Sequence, residues 1–324
     1  MNLRGIELGP MQGFSGVQGF FGHGYPFHRI WTFSRWFDFT GMTEVGKTMT
    51  MPPTEGNMPL SDEYPFEPQE WFPRCIWVSW RRRIVLNVVG LTNPGAEVLL
   101  RYDQPVVISF MSVAKTSADR LEEARAFVEW LMRWRAAHPG VVIVLQFNFS
   151  CPNAGHDPTE LLHEALVALG IVEELDIPVM AKINVLAPIE MIREIAEHRA
   201  CDALVLSNSV PFGQNPVDLK HQIDWRRYFP DGASPLTKRG FASPGGLSGE
   251  PLLLLVAERL EQIRDAGIDI PICAGGGILK PDDVDLLVGA GLRREVDAVA
   301  MASVALLAPW NIQPIIHRAH KLLG

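Results

Sequence analysis

The stretch Phe147-Asn148-Phe149-Ser150-Cys151-Pro152-Asn153 sets one thiol between two side-chain amides, directly after the apolar run 141–145. A strand that is apolar along its length and polar at its carboxyl end is how parallel α/β enzymes present reactive groups. A thiol there can act as a nucleophile or, once deprotonated, as a base. A lone cysteine is equally at home as a buried core residue, so its meaning depends on what else the chain brings to it. Asn87, Asn148, Asn153 and Asn208, the last followed by Ser209, all fall at or just past the ends of apolar runs. Each alone is an ordinary turn residue. A side-chain amide offers both donors and an acceptor, so the convergent set suits a flat heterocycle whose edge alternates N–H and C=O, such as a pyrimidine.

Two further features point to an anionic ligand. Lys47 and Lys182 each interrupt an apolar, strand-like segment. A lysine in such a place either snorkels to solvent or meets an anion. Two of them at the same end suggest a shared anionic or electron-accepting ligand, and a flavin fits because its N1/O2 edge becomes negative on reduction. Gly275-Gly276-Gly277-Ile278 lies between an apolar run and a helix opening at Pro281. Bare backbone N–H groups beside a helix N-terminus suit a phosphate. Ala302-Ser303, at the end of the following run, is small and polar enough to complete such a cradle.

These residues need a scaffold that turns many strand ends to one side. Strand-like runs fall at 42–51, 84–89, 106–110, 141–149, 178–183, 203–206, 270–273 and 298–302. Helical patterns alternate with them: one capped by Ser117 with its apolar face along Leu121, Ala124, Phe127, Leu131 and Trp134, one opening at Asp157-Pro158, then 188–198, 250–266, 281–289 and 312–323. Repeated strand–helix units with near-continuous apolar strands mean a parallel sheet. About eight strands over roughly 300 residues favour a (β/α)8 TIM barrel above an open sheet. The expected organisation is one α/β barrel domain over 1–324, with long excursions at 58–83 and 210–244. Residues 1–40, rich in glycine and aromatic rings, suggest packed loops and a short helix. The first excursion carries Trp71, Trp77 and Trp80 and then Arg81-Arg82-Arg83, which is either a solvated turn or a contact for a partner or an anion.

Bulk properties exclude several classes. With 324 residues and 47% hydrophobic content the chain has ample core, and its formal charge of −8 argues against nucleic-acid binding. Four cysteines at 75, 151, 201 and 273 show no C-x-x-C spacing, so no internal zinc or iron–sulfur site is expected, and they suggest a reducing, cytoplasmic compartment. Residues 1–10 do not resemble a signal peptide, and no apolar run is long enough for a transmembrane segment.

Taken in order, these motifs resemble the FMN-dependent dihydroorotate dehydrogenase family, from about residue 10 to the end. The most specific part is Asn148-x-Ser150-Cys151-Pro152-Asn153. The others are Gly46-Lys47-Thr48 followed by Gly56-Asn57, Asn87-x-x-Gly90-Leu91-x-Asn93, Lys182, Asn208-Ser209, Gly-Gly-Leu-Ser-Gly-x-Pro-Leu at 245–252, and Gly276-Gly277-Ile278. The resemblance implies FMN as cofactor and Cys151 as the base that takes the C5 proton of dihydroorotate while the C6 hydride passes to flavin N5. It implies that Lys47 contacts flavin and substrate, and that Asn87, Asn148, Asn153, Asn208 and Ser209 hold the pyrimidine. Ser15, Gly16, Lys47, Thr48, Asn148, Lys182, Gly245, Gly246, Gly276, Gly277, Ala302 and Ser303 would line the FMN.

The chain also departs from that pattern. Cys as base is similar to the soluble branch of the family, whereas Gly-Gly-Leu-Ser-Gly-x-Pro-Leu is similar to the quinone-reducing branch. Val88-Val89 replaces a bulkier or basic pair, and both excursions are longer than usual. The alternatives to dihydroorotate oxidation are a dihydropyrimidine dehydrogenase-like or other cyclic-amide oxidoreductase, a tRNA dihydrouridine synthase, and a non-catalytic flavin-binding subunit. Fumarate, a quinone, or NAD reached through an iron–sulfur partner subunit are all compatible electron acceptors. The family implies a homodimer.

Overall fold

A computed structural model describes residues 1–30, 36–64, 66–149 and 158–324. Seven strands form one parallel sheet: β1 (Met11–Gly13), β2 (Val107–Phe110), β3 (Val144–Asn148), β4 (Val179–Ile183), β5 (Ala203–Leu206), β6 (Ile272–Ala274) and β7 (Ala298–Met301). Their spatial order is β1-β7-β6-β5-β4-β3-β2. The extended segment 43–49 joins the two outer strands through parallel bridges, Gln12 with Thr43, Val45 with Val107 and Met49 with Phe110. Backbone bonds from Thr43 N–H to Met11 O (2.9 Å) and from Gly46 N–H to Val107 O (3.0 Å) make that closure. The ring is therefore a closed (β/α)8 barrel, with 43–49 in the eighth strand position.

Eight strands are present as expected, but two assignments change. The first is Met11–Gly13, inside the segment expected to be loops. Its three residues are too short to register as a run, and neighbouring strands supply its definition. The run beginning at Ile84 is not in the barrel. Ile84–Asn87 pairs antiparallel with Ile76–Ser79 and Gly246–Gly249, and the latter with Val210–Pro211, in a separate four-stranded sheet. That sheet takes a strand from each long excursion. A bidentate pair, buried Arg259 with exposed Asp218 at 2.6 Å, also ties the second excursion to the helix Leu252–Asp265.

The helices wrap the barrel because alternate strand residues face out. Ile108, Phe110, Leu145, Phe147, Val179, Ala181, Leu204 and Leu206 pack outward into one core with Phe127, Leu131, Leu169 and Ile192. Phe110 stacks on Phe127 with centroids 3.8 Å apart. The helix Ser117–Ala137 is capped by Thr116, whose hydroxyl accepts the Asp119 N–H at 3.1 Å. Ser117 is thus the first helical residue rather than the cap. The expected cap Asp157 lies outside the described residues. A two-stranded hairpin, Asn2–Leu3 with Ile6–Glu7, brings Met1, Leu3 and Leu8 against Val107, Val144 and Ala298, closing the amino-terminal end of the barrel with hydrocarbon.

Candidate active site

The inward-facing residues change character along each strand. Val144 is followed two positions on by Gln146 and then Asn148, Val107 by Ser109, Met180 by Lys182, and Ala203 and Val205 by Ser207. The lower inner layer is a packed apolar core of Val45, Val107, Val144, Met180, Ala203 and Ala298. Polar groups occupy the carboxyl end, where period-two geometry puts them on the same face. Register sets Asn148 beside Lys182 on adjacent strands. Above them is a cavity of about 560 Å³. It gathers Ser15, Gly16, Lys47, Thr48, Asn87, Asn148, Lys182, Asn208, Ser209, Gly276, Gly277, Ala302 and Ser303. Of the expected site residues, Gly245 and Gly246 are outside this lining, and Cys151 and Asn153 lie outside the described residues.

Both lysines are stripped of water. Burial lowers the Lys47 ammonium from its ordinary 10.5 to about 7 and Lys182 to about 8. Lys47 Nζ donates to the Thr92 carbonyl and stands 4.6 Å from the Phe20 ring centroid. Lys182 Nζ is 5.3 Å from that of Phe14. An anion in the cavity would restore both to the charged form, and the site is electrostatically suited to one. Beneath them a buried chain of hydroxyls runs from Ser15 Oγ to Thr48 Oγ1 (2.7 Å) to Ser109 Oγ (2.9 Å), which donates to Gln146 Oε1 at 3.4 Å. It fixes the floor.

The amides are pre-oriented. Asn208 Nδ2 donates to Asn148 Oδ1 at 3.4 Å, while Asn208 Oδ1 accepts the Ser209 N–H at 2.9 Å. Asn184 Nδ2 donates to the Ser209 carbonyl and Ser207 Oγ accepts the Val185 N–H, each at 2.9 Å. Asn87 enters from the antiparallel sheet, opposite Gly246 and Ile76 in register. Gly245 and Gly246 make that approach possible. A Cβ on Gly245 would lie 2.6 Å from the Asn87 carbonyl oxygen, and one on Gly246 would lie 2.4 Å from Ser209 Oγ. These two glycines therefore position amide-bearing loops, and Ser248 of the same strand faces the cavity instead.

The glycine run forms a tight cradle. A Cβ on Gly275 would sit 1.9 Å from the Ala300 carbonyl oxygen, and one on Gly277 2.7 Å from that of Gly249. Gly276, Gly277, Ser248, Leu252, Ala302 and Ser303 share this end of the cavity. Leu252 opens a 14-residue helix whose dipole places positive potential here. Asp283 locks the loop's exit by accepting the Leu279 and Lys280 N–H groups at 2.8 and 3.0 Å. The donor set and the absence of Cβ atoms fit a phosphate-bearing ligand with its planar part toward the lysines.

Several residues at the cavity wall or just behind it carried no sequence signal of their own. Asn93, which the family motif includes without a role, is buried and braces two loops. Its Nδ2 donates to Thr50 Oγ1 (2.8 Å) and the Leu91 carbonyl (2.6 Å), and its Oδ1 accepts from Gly95 N–H (2.9 Å). The adjacent Thr92 holds Lys47 through its carbonyl and accepts the Met58 N–H on its hydroxyl at 3.1 Å. His28 is buried among Phe27, Phe37 and Phe39 at the cavity wall. Its Nδ1 accepts the Tyr25 N–H at 3.2 Å, which puts the proton on Nε2, and Nε2 has no partner among the described residues. Burial pushes its pKa down to about 4. Arg120, bidentate with Glu164 at 2.6 and 2.5 Å, also reaches the wall. Ser109 and Gln146 had a readable signal, each a polar residue inside a strongly apolar strand.

No family model matches the chain. It is similar to proteins named dihydroorotate dehydrogenase B (NAD(+)), catalytic subunit. With that of Listeria welshimeri it shares 28% identity over 244 residues, 72% of this chain and 70% of the relative. With that of Listeria monocytogenes the figures are 28% over 249 residues, 73% and 72%. With that of Desulforudis audaxviator they are 28% over 291 residues, 86% and 79%. The resemblance drawn from the motifs is thus matched by similarity over most of the chain.

Proposed function

We propose that the protein oxidises dihydroorotate to orotate with FMN bound in the barrel mouth, and that Cys151 is the base. One observation carries the reading. Lys47, Lys182, three of the four expected amides and the glycine cradle, from strand ends far apart in sequence, line a single cavity. The names of the similar proteins support the substrate. Bound there, FMN would supply an acceptor for the hydride that leaves C6.

The chain's own residues have the remaining tasks. Lys47 and Lys182 lie where they would neutralise an anionic ring edge, and each would regain its charge in doing so. Asn87, Asn148 and Asn208, with Asn153, would hold the pyrimidine so that C5 faces the thiol. Fixing the ring aligns the departing proton with the departing hydride, and positioning of this kind contributes a large part of a rate enhancement. A free thiol has a pKa near 8.5, so Cys151 needs help from its surroundings to act as a base at neutral pH. The relatives' names include NAD(+) and describe catalytic subunits; for this chain they support NAD as the final acceptor, reached through a second protein.

The test is Cys151→Ala. The variant is expected to purify yellow, with its FMN, and to lose flavin reduction by dihydroorotate by several orders of magnitude at neutral pH, in keeping with the usual size of a general-base contribution, about 10²–10⁴. Unaltered reduction would remove Cys151 from the mechanism.

A further inference from the structure

The aromatic side of the cavity lies behind an unusual face. Phe27, Pro73, Ile76, Ala305 and Leu306 form that wall. Outside it, Trp80 Nε1 donates to the Leu306 carbonyl at 2.8 Å, Phe72 stacks on Phe27 with centroids 6.2 Å apart, and Trp36 meets Trp310 edge-on at 5.8 Å. These rings are exposed: Phe72 by 72%, Trp80 by 69% and Trp310 by 55%. A cluster of large exposed rings on a folded chain marks a contact surface.

Charge distinguishes what this surface contacts. Its rings come from three stretches of sequence, 8–37, 71–96 and 298–324, that contain none of the chain's 37 acidic residues. On a protein of net charge −8 this sector is poor in acidic residues, with Glu70 and Glu250 at its edge beside Arg74 and Arg83. Its rim is arginine: Arg74, Arg81 and Arg82 are exposed. Arg82 donates to the Tyr228 carbonyl at 2.6 Å, which brings the exposed Arg226 and Arg227 alongside. Indole and phenyl rings framed by guanidinium groups, which outnumber the carboxylates of Glu70, Asp224 and Glu250 beside them, match a headgroup layer that is anionic at its surface and apolar beneath.

We propose that this face docks on an anionic phospholipid surface, with Phe72, Trp80 and Trp310 entering the headgroup region and Arg74, Arg81 and Arg82 at its phosphates. Docking would set the aromatic end of the cavity at headgroup level. The inference is independent of the substrate assigned above.

The experiment is co-sedimentation of the full chain, loaded with flavin, with phosphatidylcholine vesicles made with and without phosphatidylglycerol, at low and high salt. The protein is expected to sediment with the anionic vesicles, weakly with the neutral ones, and less as salt rises. Phe72→Ser with Trp310→Ser, and separately Arg81→Glu, should each weaken binding by about tenfold or more, with flavin content and flavin reduction unchanged. No sedimentation with anionic vesicles would overturn the proposal, as would equal sedimentation of the wild type and both variants. Dissociation of a dimer or of a protein complex by the variants, without vesicle binding by the wild type, would overturn it in favour of a protein interface.

Discussion

Lys182 illustrates how one residue can be read twice. As a sequence feature it is a cation inside an apolar strand. In the fold it is a desolvated amine with its pKa pushed down to about 8, beside Lys47 at about 7. A lysine whose charged form is disfavoured in the empty site and favoured in the loaded one takes up a proton on binding. The affinity of the flavin-free protein for FMN should therefore fall as pH rises through about 7 and about 8, by up to about tenfold per pH unit for each lysine. Lys182→Ala should lower flavin content after purification and flatten that slope, checked by flavin fluorescence titration; full flavin content would count against its role. His28 gives the opposite pH sign for stability. Its folded pKa is about 4 against an ordinary 6.5. Between those values the unfolded chain holds more protons, so stability is lost as pH falls through that window, on the order of 3 kcal/mol in all. Denaturant midpoints measured across it should show the loss, and His28→Phe should remove this component. An unchanged pH profile in the variant would contradict the assignment.

At the scale of elements, the site depends on close backbone approach. The Gly275–Gly277 turn leaves no room for a side chain between β6 and β7. Gly275→Ala should cost about 1–3 kcal/mol by overpacking against the Ala300 carbonyl, with loss of bound flavin. Gly170→Ala, in the helix Pro158–Val172 with nothing within 4 Å of its added Cβ, should instead be neutral or stabilising by up to about 1 kcal/mol. Thermal melts of the two variants separate a packing requirement from a general intolerance of glycine replacement. The turn was legible in sequence as a tight glycine turn, and its place late in the order of strands, ahead of a helix, is what suggested a phosphate cradle. Gly245 and Gly246 were read, through the family motif they belong to, as part of the FMN lining. That they admit Asn87 and Ser209, rather than lining the cavity, depends on strand pairings across more than 150 residues, and no local pattern carries that information.

For the whole molecule, the alternation of near-continuous apolar strands and helices was enough to indicate a parallel sheet, and the count of about eight strands over roughly 300 residues favoured a barrel above an open sheet. Two things were not legible. Met11–Gly13 is too short to show periodicity, and its role as a barrel strand is imposed by β7 and the 43–49 segment on either side. The 84–87 run has the composition of a barrel strand, yet it pairs with Ile76–Ser79 of the first excursion and with Gly246–Gly249 in a second sheet. Local preference is satisfied equally by either partner, so tertiary context decides. The sequence's inward rows, by contrast, could be followed strand by strand from Val144 to Asn148 and from Met180 to Lys182, and they lead to one cavity. The most direct measurement of what that cavity does is anaerobic stopped-flow mixing of the FMN-loaded protein with dihydroorotate, with dihydrouracil and dihydrothymine in parallel. Dihydroorotate is expected to bleach the flavin absorbance, with the other two much slower. A flavin spectrum left unchanged by dihydroorotate but bleached by another dihydropyrimidine would contradict the assigned activity.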